Sequence, residues 1–553
     1  MTTTFVAVAL GATLASQGAE LGGTQPNELI LGVEPSSSCN CHDNFNNPEV
    51  YRPAHSYRAT MMALSARDPL FRAAFIAARE DRPELSELCL RCHAPAGWLN
   101  DRSKGDLDAL IADDLEGVTC DICHRMEAAD PPLVGDGQYT ISSRSAKRSR
   151  RGNAPGGGHQ VIRTSYVASA DSCAVCHSLF NPTEDGHDED GNVLPVVYYE
   201  QRTYEEWLDS DFSKAGGETC IDCHMTTRRG EAAEGAPVYD DLKVHDFVGG
   251  NRFALDAVAI LDRNVFSPSG VELRAAREWA DQSLARAASL EITEPSSQQL
   301  SLQSGDTASL GVRLTNLTGH KLPSGYPEGR RVYLELSITM DGQDKQIVSG
   351  RWDQSTGDLV RDDQIRSYDT EHGRVMNGVS RREHSLILMN QIISDTRLPP
   401  RGFMPDPSRP DMIPAGRDYG SGPYRHYDDH TYELVAPDVP MATTGTVTVR
   451  AMYQATDGET VRYLLQRANG TEEGNKLQQV WEALAHAPPR EMVSVSIPIT
   501  VRPGVVDVPD AGTSDAGTIT PTTTGGCGCS AVDARGGLGA IFLLGLLAFV
   551  RRR

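Results

Sequence analysis

From Ser297 onward, apolar and polar residues alternate with a period of two. Ala308, Leu310, Val312 and Leu314 make one such run, and Val332, Leu334, Leu336 and Ile338 another. Val447, Val449, Ala451 and Tyr453 follow, and Val493, Val495, Ile497, Ile499 and Val501 close the series. Strict alternation predicts half-buried strands. Asp341-Gly342 and Asp457-Gly458 are turn signals between them. Strands with polar turns and little helix predict an antiparallel, Ig-like β-sandwich over residues 293–503, with long excursions from Pro399 to Gly422. Just upstream the period changes. Leu273, Ala276, Trp279, Ala280, Leu284 and Ala287 recur at helical spacing, which predicts an amphipathic connecting helix within 266–292.

The two ends are apolar for other reasons. Phe5 to Ala15 followed by Ser16-Gln17-Gly18 has the outline of a signal peptide over residues 1–18, although no Lys or Arg precedes it. A mis-chosen start codon or a first core strand are the alternatives. Residues 504–525 are rich in Asp, Ala, Gly and Thr, too polar to fold, and read as a disordered linker. In 526–553, Cys527 and Cys529 precede an apolar run from Gly536 to Val550 and three terminal arginines. That run is short of the roughly 20 residues that cross a bilayer comfortably.

Composition sharpens this picture. The chain has 553 residues and a net charge of −23, which argues against nucleic acid as a partner. Aromatic residues are only 6%, so something other than side chains is expected to help fill a core. The 12 cysteines are unevenly spread: ten lie between Cys39 and Cys223 and two in the tail.

Those ten carry the chemistry. Cys89-Leu-Arg-Cys92-His93, Cys120-Asp-Ile-Cys123-His124, Cys173-Ala-Val-Cys176-His177 and Cys220-Ile-Asp-Cys223-His224 are each C-x-x-C-H, the attachment motif of c-type haem. Two thiols bond the two vinyl groups of a porphyrin, and the adjoining imidazole becomes the proximal ligand of its iron. Disulfides or zinc would not require His directly after the second Cys four times. Ser38-Cys39-Asn40-Cys41-His42 is a fifth, irregular motif with one residue between the cysteines. It can hold haem through two thioethers, hold it through Cys41 alone, or be a non-haem Cys pair; haem is favoured. Five haems are expected, and neither a calcium nor a zinc site. The acidic loop 184–191 misses the EF-hand pattern.

Proximal ligands are thus His42, His93, His124, His177 and His224. His55, His159, His245 and His320 each sit beside turn residues and are the distal candidates; His187, in the acidic loop, is a weaker one. Four distal candidates for five irons leave one iron in question. The basic run Arg144, Lys147, Arg148, Arg150 and Arg151 reads as a solvated loop, with docking of an acidic partner or balancing of haem propionates as alternatives.

Residues 38–260 resemble the multihaem cytochrome c superfamily that includes tetrahaem electron carriers and hydroxylamine oxidoreductase. The phrases that carry the resemblance are His55-Ser56 with Asp68-Pro69-Leu70-Phe71, Cys89 to Pro95 with Trp98, Gly117-Val118-Thr119-Cys120, Tyr204-Glu205-Glu206-Trp207, Thr219 to Met225, and His245-Asp246-Phe247-Val248-Gly249-Gly250. The resemblance implies closely packed, mostly bis-His haems. No C-x-x-C-K occurs, and there are five motifs rather than eight, so neither nitrite reduction nor hydroxylamine oxidation is carried over. Residues 526–553 are similar to the MYXO-CTERM sorting tail of surface proteins, which implies processing near Cys527 and attachment at the cell surface. A simple membrane anchor is the alternative.

The expected architecture is a mainly α, loop-rich cytochrome domain at 30–265 followed by the sandwich. The expected function is electron transfer at the cell envelope, with envelope redox proteins as partners, a membrane contact through the tail, and no catalytic residues. One alternative is a small-molecule oxidoreductase acting on nitrogen or sulfur oxyanions or hydroxylamine at an open haem. Another is that the sandwich is a binding module.

Overall fold

In the computed structural model, residues 21–43, 51–152, 158–326 and 328–504 are described. The apolar runs at both ends, the polar linker beyond Gly504, and Cys527 and Cys529 lie outside them. No helix among the described residues is long and apolar enough to cross a membrane.

The C-terminal part contains two sheets around one core. The larger runs in the order Leu300–Gln303, Arg490–Arg502, Thr443–Gln454, Arg331–Met340, Gln346–Ser349, with Arg366–Tyr368 also paired to Arg331–Met340. The smaller has Thr307–Asn316 between Tyr427–Val435 and Ala288–Glu294. Leu310, Val312 and Leu314 of the smaller sheet share a core with Leu334, Leu336, Val447, Val449 and Ile499 of the larger. These are the positions that the period of two assigns to one face. Pairing is antiparallel except between Leu300–Gln303 and Arg490–Arg502. The helix Val271–Ala287 buries Leu273, Ala280 and Leu284 and runs directly into the strand Ala288–Glu294.

The expectation of a mainly α cytochrome part is not met. About 28% of the residues are helical and about 29% are in strands, a β-rich chain. The helices around the haem motifs are short, and long strands lie between them. Leu179–His187 and Val193–Gln201 belong to a five-stranded sheet with Gln391–Asp395, Thr370–Met376 and Val379–Arg382. The physical reason is visible in Val193-Leu-Pro-Val-Val-Tyr-Tyr199, where β-branched and aromatic residues favour a pleated surface. Two strands cannot stand alone in water, so the hairpin completes itself on strands from beyond residue 370.

A second difference lies between Thr443–Gln454 and Arg490–Arg502. Asp457-Gly458 is not a hairpin turn: Asp457 caps the helix Gly458–Arg467, its carboxylate accepting from the Thr460 amide. A second helix, Glu472–Ala483, follows. Val461, Leu464, Leu477 and Trp481 of this pair pack on Ala73 of the helix Pro69–Asp81 and on Phe253 and Ala257 of Arg252–Leu261. Arg72 closes the contact with two bonds to Glu473, both 2.7 Å. The described residues up to Gly504 therefore cluster as one compact unit. Arg72→Ala is expected to lower stability by about 1–3 kcal/mol, since it removes a half-buried bidentate pair. A denaturation midpoint equal to wild type would show that the apolar contact alone holds this seam.

Candidate metal centres

Each C-x-x-C-H lies in or runs out of a short helix: Ser86–His93, Cys120–Arg125, Ala170–Ala174 and Cys220–His224; the irregular motif occupies the 3-10 turn Ser36–His42. One helical turn puts residues i, i+3 and i+4 on one face, which is how two thiols and an imidazole reach one cofactor. At Cys220–His224 the start is fixed by a capping box in which the Asp222 carboxylate accepts from the Thr219 amide at 3.0 Å.

Three proximal histidines face a second imidazole. His42 and His159 have ring centroids 6.1 Å apart and planes tilted by 31°. His124 and His245 are 6.1 Å apart at 20°, and His224 and His320 are 6.3 Å apart at 22°. Two metal–nitrogen bonds of about 2 Å plus the half-widths of two five-membered rings make about that span. Direct ring stacking would be much closer, as between Phe71 and His93 at 3.8 Å.

The tautomers agree. Nδ1 of His42 donates to the Ala232 carbonyl (2.5 Å), that of His124 to Arg148 (2.7 Å) and that of His224 to Val248 (2.6 Å). Across from them, His159 Nδ1 donates to Gln160 (3.2 Å), His245 to Lys243 (3.1 Å) and His320 to Lys321 (3.0 Å). Spending Nδ1–H on a carbonyl leaves Nε2 as a lone-pair donor, the usual outer-shell arrangement of a metal-bound imidazole. Burial also keeps rings neutral: it lowers His42, His124 and His320, and brings His245 to about 3 and His93 to about 4. The residues therefore fit haem at these positions.

His93 donates to the Ser65 carbonyl at 3.2 Å, but among the described residues no imidazole pair forms at His93, His177 or His55. His55 lies 3.6 Å from Asp43 instead. His187 ends a strand, with its amide and Nδ1 both on the Asn390 carbonyl, and faces no other histidine.

Among the described residues the ten motif cysteines form no disulfide, and they lie in a definite order. Cys39 neighbours Cys120, Cys173 neighbours Cys220, and Cys176 neighbours Cys92. Cys123 lies within electrostatic range of both Cys173 and Cys176. In chain order the motifs thus run first–third–fourth–fifth, with the second set beside the fourth. Only Cys41 and Cys223, at the two ends of that line, are exposed. Gly137 marks how close the packing is. Its φ is +63°, and a Cβ there would stand 2.7 Å from Arg91 and 3.3 Å from Cys92 Sγ.

His320 comes from the sandwich, on a loop held from both sides. Asn316 Nδ2 donates to the carbonyls of His320 (2.8 Å) and Leu398 (2.9 Å). Glu206, in the helix Thr203–Leu208, accepts from the Lys321 amide (3.0 Å) and the Ser324 hydroxyl (2.7 Å). A side chain at Gly319 would press on Trp207 at 3.2 Å. Lys321 is buried, donating to Asp395 (2.6 Å) and the Met412 carbonyl (2.8 Å), and Arg397 spans Asp395 and Glu206. Burial pushes the Asp395 carboxyl up, but Arg397 and Lys321 outweigh it and hold it well below the usual carboxylate range. Local sequence carries no signal for this four-residue network.

Three members of the basic run are already engaged. Lys147 pairs with Asp121 and Glu34, Arg148 is buried against Glu127, and Arg151 pairs with Asp241 at 2.6 Å.

No protein-family model matches the chain. No curated protein matches it either. Among solved structures it is similar to a penta-haem cytochrome c552 from Thermochromatium tepidum, with a TM-score of 0.48 and 17% identity, covering 84% of this chain and 100% of that one. So distant a likeness carries no assignment.

Proposed function

We propose that this chain is a multihaem c-type cytochrome that carries electrons along the line of its first, third, fourth and fifth centres. The observation that carries the reading is the set of three imidazole pairs, each spaced as two rings are across one iron and each combining the His of an attachment motif with a distant histidine. Bis-His iron has no free coordination position and passes electrons rather than binding substrate. The sulfur contacts support close spacing, and the exposed Cys41 and Cys223 support entry and exit at the two ends. Export and attachment at the cell surface belong to the same reading and are supported by the sequence of the two ends.

Mass spectrometry of the mature protein tests it. Each haem adds a fixed mass, and five are expected. Loss of two hydrogens per cysteine pair, without haem absorption, would mean disulfides and would sink the proposal. Low-temperature EPR is expected to show low-spin ferric iron at the three paired centres.

A second reading, a reductase or oxidase of small nitrogen or sulfur species, draws on the pairing count. Among the described residues two proximal histidines, His93 and His177, have no imidazole opposite them, and of the four main distal candidates His55 alone is not in an imidazole pair. Spectral shifts with nitrite, hydroxylamine, sulfite or cyanide support it; a spectrum indifferent to all four eliminates it.

A further inference from the structure

Beside the second motif the protein interior is polar. Glu200, on the strand Val193–Gln201, is 6% exposed, and its Oε1 has no hydrogen-bond partner. It lies within electrostatic range of Cys89. A small cavity joins it to Thr370 and His372, whose Oγ1 and Nε2 are also buried without partners. Three polar atoms around one cavity are what an internal water needs. From the surface a second row of groups approaches. The half-exposed Glu459 meets His384 Nε2 at 3.3 Å, and His384 Nδ1 meets the buried Glu328 at 2.8 Å. The second oxygen of Glu328 is buried and unpartnered, and Glu328 is within electrostatic range of Glu200.

A buried carboxylate without a partner is costly, and a carboxylic acid is far less so. Burial, then Asp136 and Glu328, push the Glu200 carboxyl up to about 8, while Arg330 pulls it down. Arg202, Lys321, Arg397, Glu206, Asp411 and His372 also face the cavity, and Arg382 pairs with Glu328 at 3.0 Å. The Arg330 guanidinium does not neutralise Glu200 by contact: its bond goes to the Ser324 carbonyl at 2.7 Å, and its Nε is unpartnered.

We infer that the second centre takes up a proton together with its electron, and that Glu200 receives the proton. This rests on the haem reading above. One electron arrives from the fourth centre, whose Cys176 neighbours Cys92. One proton from solvent passes His384 and Glu328 and forms an O–H bond on the Glu200 carboxylate. A ferric centre adds positive charge and favours the carboxylate; reduction removes that charge and restores the acid. Glu200 thereby keeps the charge of this interior constant as the electron comes and goes.

Spectroelectrochemical titration of the full-length, haem-loaded protein between about pH 6 and pH 9 tests it. Below about pH 8, the potential of one component is expected to fall with rising pH by up to about 59 mV per unit, the one-electron equivalent of a tenfold change. Above about pH 8 it levels off, because Glu200 is then ionised in both states. In Glu200→Gln that component becomes independent of pH, and in Asp136→Asn it keeps its slope. A flat wild-type profile, or an undiminished slope in Glu200→Gln, overturns the inference. If Glu200→Gln does not accumulate, the redox-difference infrared spectrum of wild type decides: a protonated carboxyl band must grow on reduction, and its absence overturns the inference. A protein without haem absorption would refute the haem reading itself, whereas five haems with flat potentials refute only the role of Glu200.

Discussion

Asp395→Ala is expected to cost about 3–5 kcal/mol of stability, the penalty for stranding buried cations. Asp395 is 1% exposed and is bonded to two of them: Lys321 Nζ at 2.6 Å and Arg397 Nη2 at 2.7 Å. With Glu206 the cluster holds two positive and two negative groups, so it is neutral as a unit. Removing one carboxylate leaves an excess positive charge almost wholly shielded from bulk solvent. The substitution is also expected to disturb ligation, because Lys321 follows His320 and its amide is held by Glu206. A guanidinium midpoint should therefore fall together with partial loss of one low-spin signal. Asp395→Asn keeps the shape and still lacks the charge, so it should behave nearly as badly. The same logic gives the pH sense. Asp395 has a depressed carboxyl, so its contribution is complete above its unfolded value and is lost as pH falls through the lower, folded one. A change below about 1 kcal/mol in Asp395→Ala would mean that water enters the cluster and that it is not a strut.

Much of the candidate site was legible because its chemistry is local. Five residues suffice to spell C-x-x-C-H, and the helix they form follows from that spacing. His159, His245 and His320 could be chosen by the glycine and turn residues beside them, and the fold sets each opposite a motif histidine. Which distal candidate faces which motif was not legible, because the histidine facing His42 is 117 positions away and the one facing His224 is 96. Strands were readable where one face is wet, as in Thr307–Asn316. Arg331–Met340 is buried on nearly every residue, and its alternation shows only on its larger side chains. The hairpin Leu179–Gln201 was missed because its first strand, Leu-Phe-Asn-Pro-Thr-Glu-Asp-Gly-His187, is polar and carries a proline. Its pairing partner near Gln391 could not be seen locally at all. The helix pair 458–483 did leave a trace, Val461, Leu464 and Ala468, then Leu477, Val480 and Trp481, at helical spacing. The Asp-Gly step before it points equally to a turn and to a cap, and here it caps.

His320→Ala is expected to convert the fifth centre, and no other, from low-spin to high-spin iron. The imidazole of His320 stands 6.3 Å from that of His224, and its Nδ1 is tied to the Lys321 carbonyl, so its Nε2 is the atom available to a metal. No other histidine among the described residues pairs with His224. Alanine leaves that position to water or nothing, and a weaker ligand field favours the high-spin state. The haem itself should stay attached, because thioethers at Cys220 and Cys223 do not depend on the distal side. The whole-protein mass should thus change only by the substitution, while the EPR signal of one centre moves. His320→Met separates ligation from folding: a thioether ligand restores low spin but raises the potential of that centre relative to a bis-His one. His187→Ala is the matched control, since His187 is tied to Asn390 and faces no histidine; its spectrum should equal wild type. An unchanged EPR spectrum in His320→Ala would remove the sandwich from the electron path and leave it as a separate binding or capping module. The expected outcome instead makes the C-terminal half a structural part of the wire, because it supplies the ligand that closes the exposed end at Cys223.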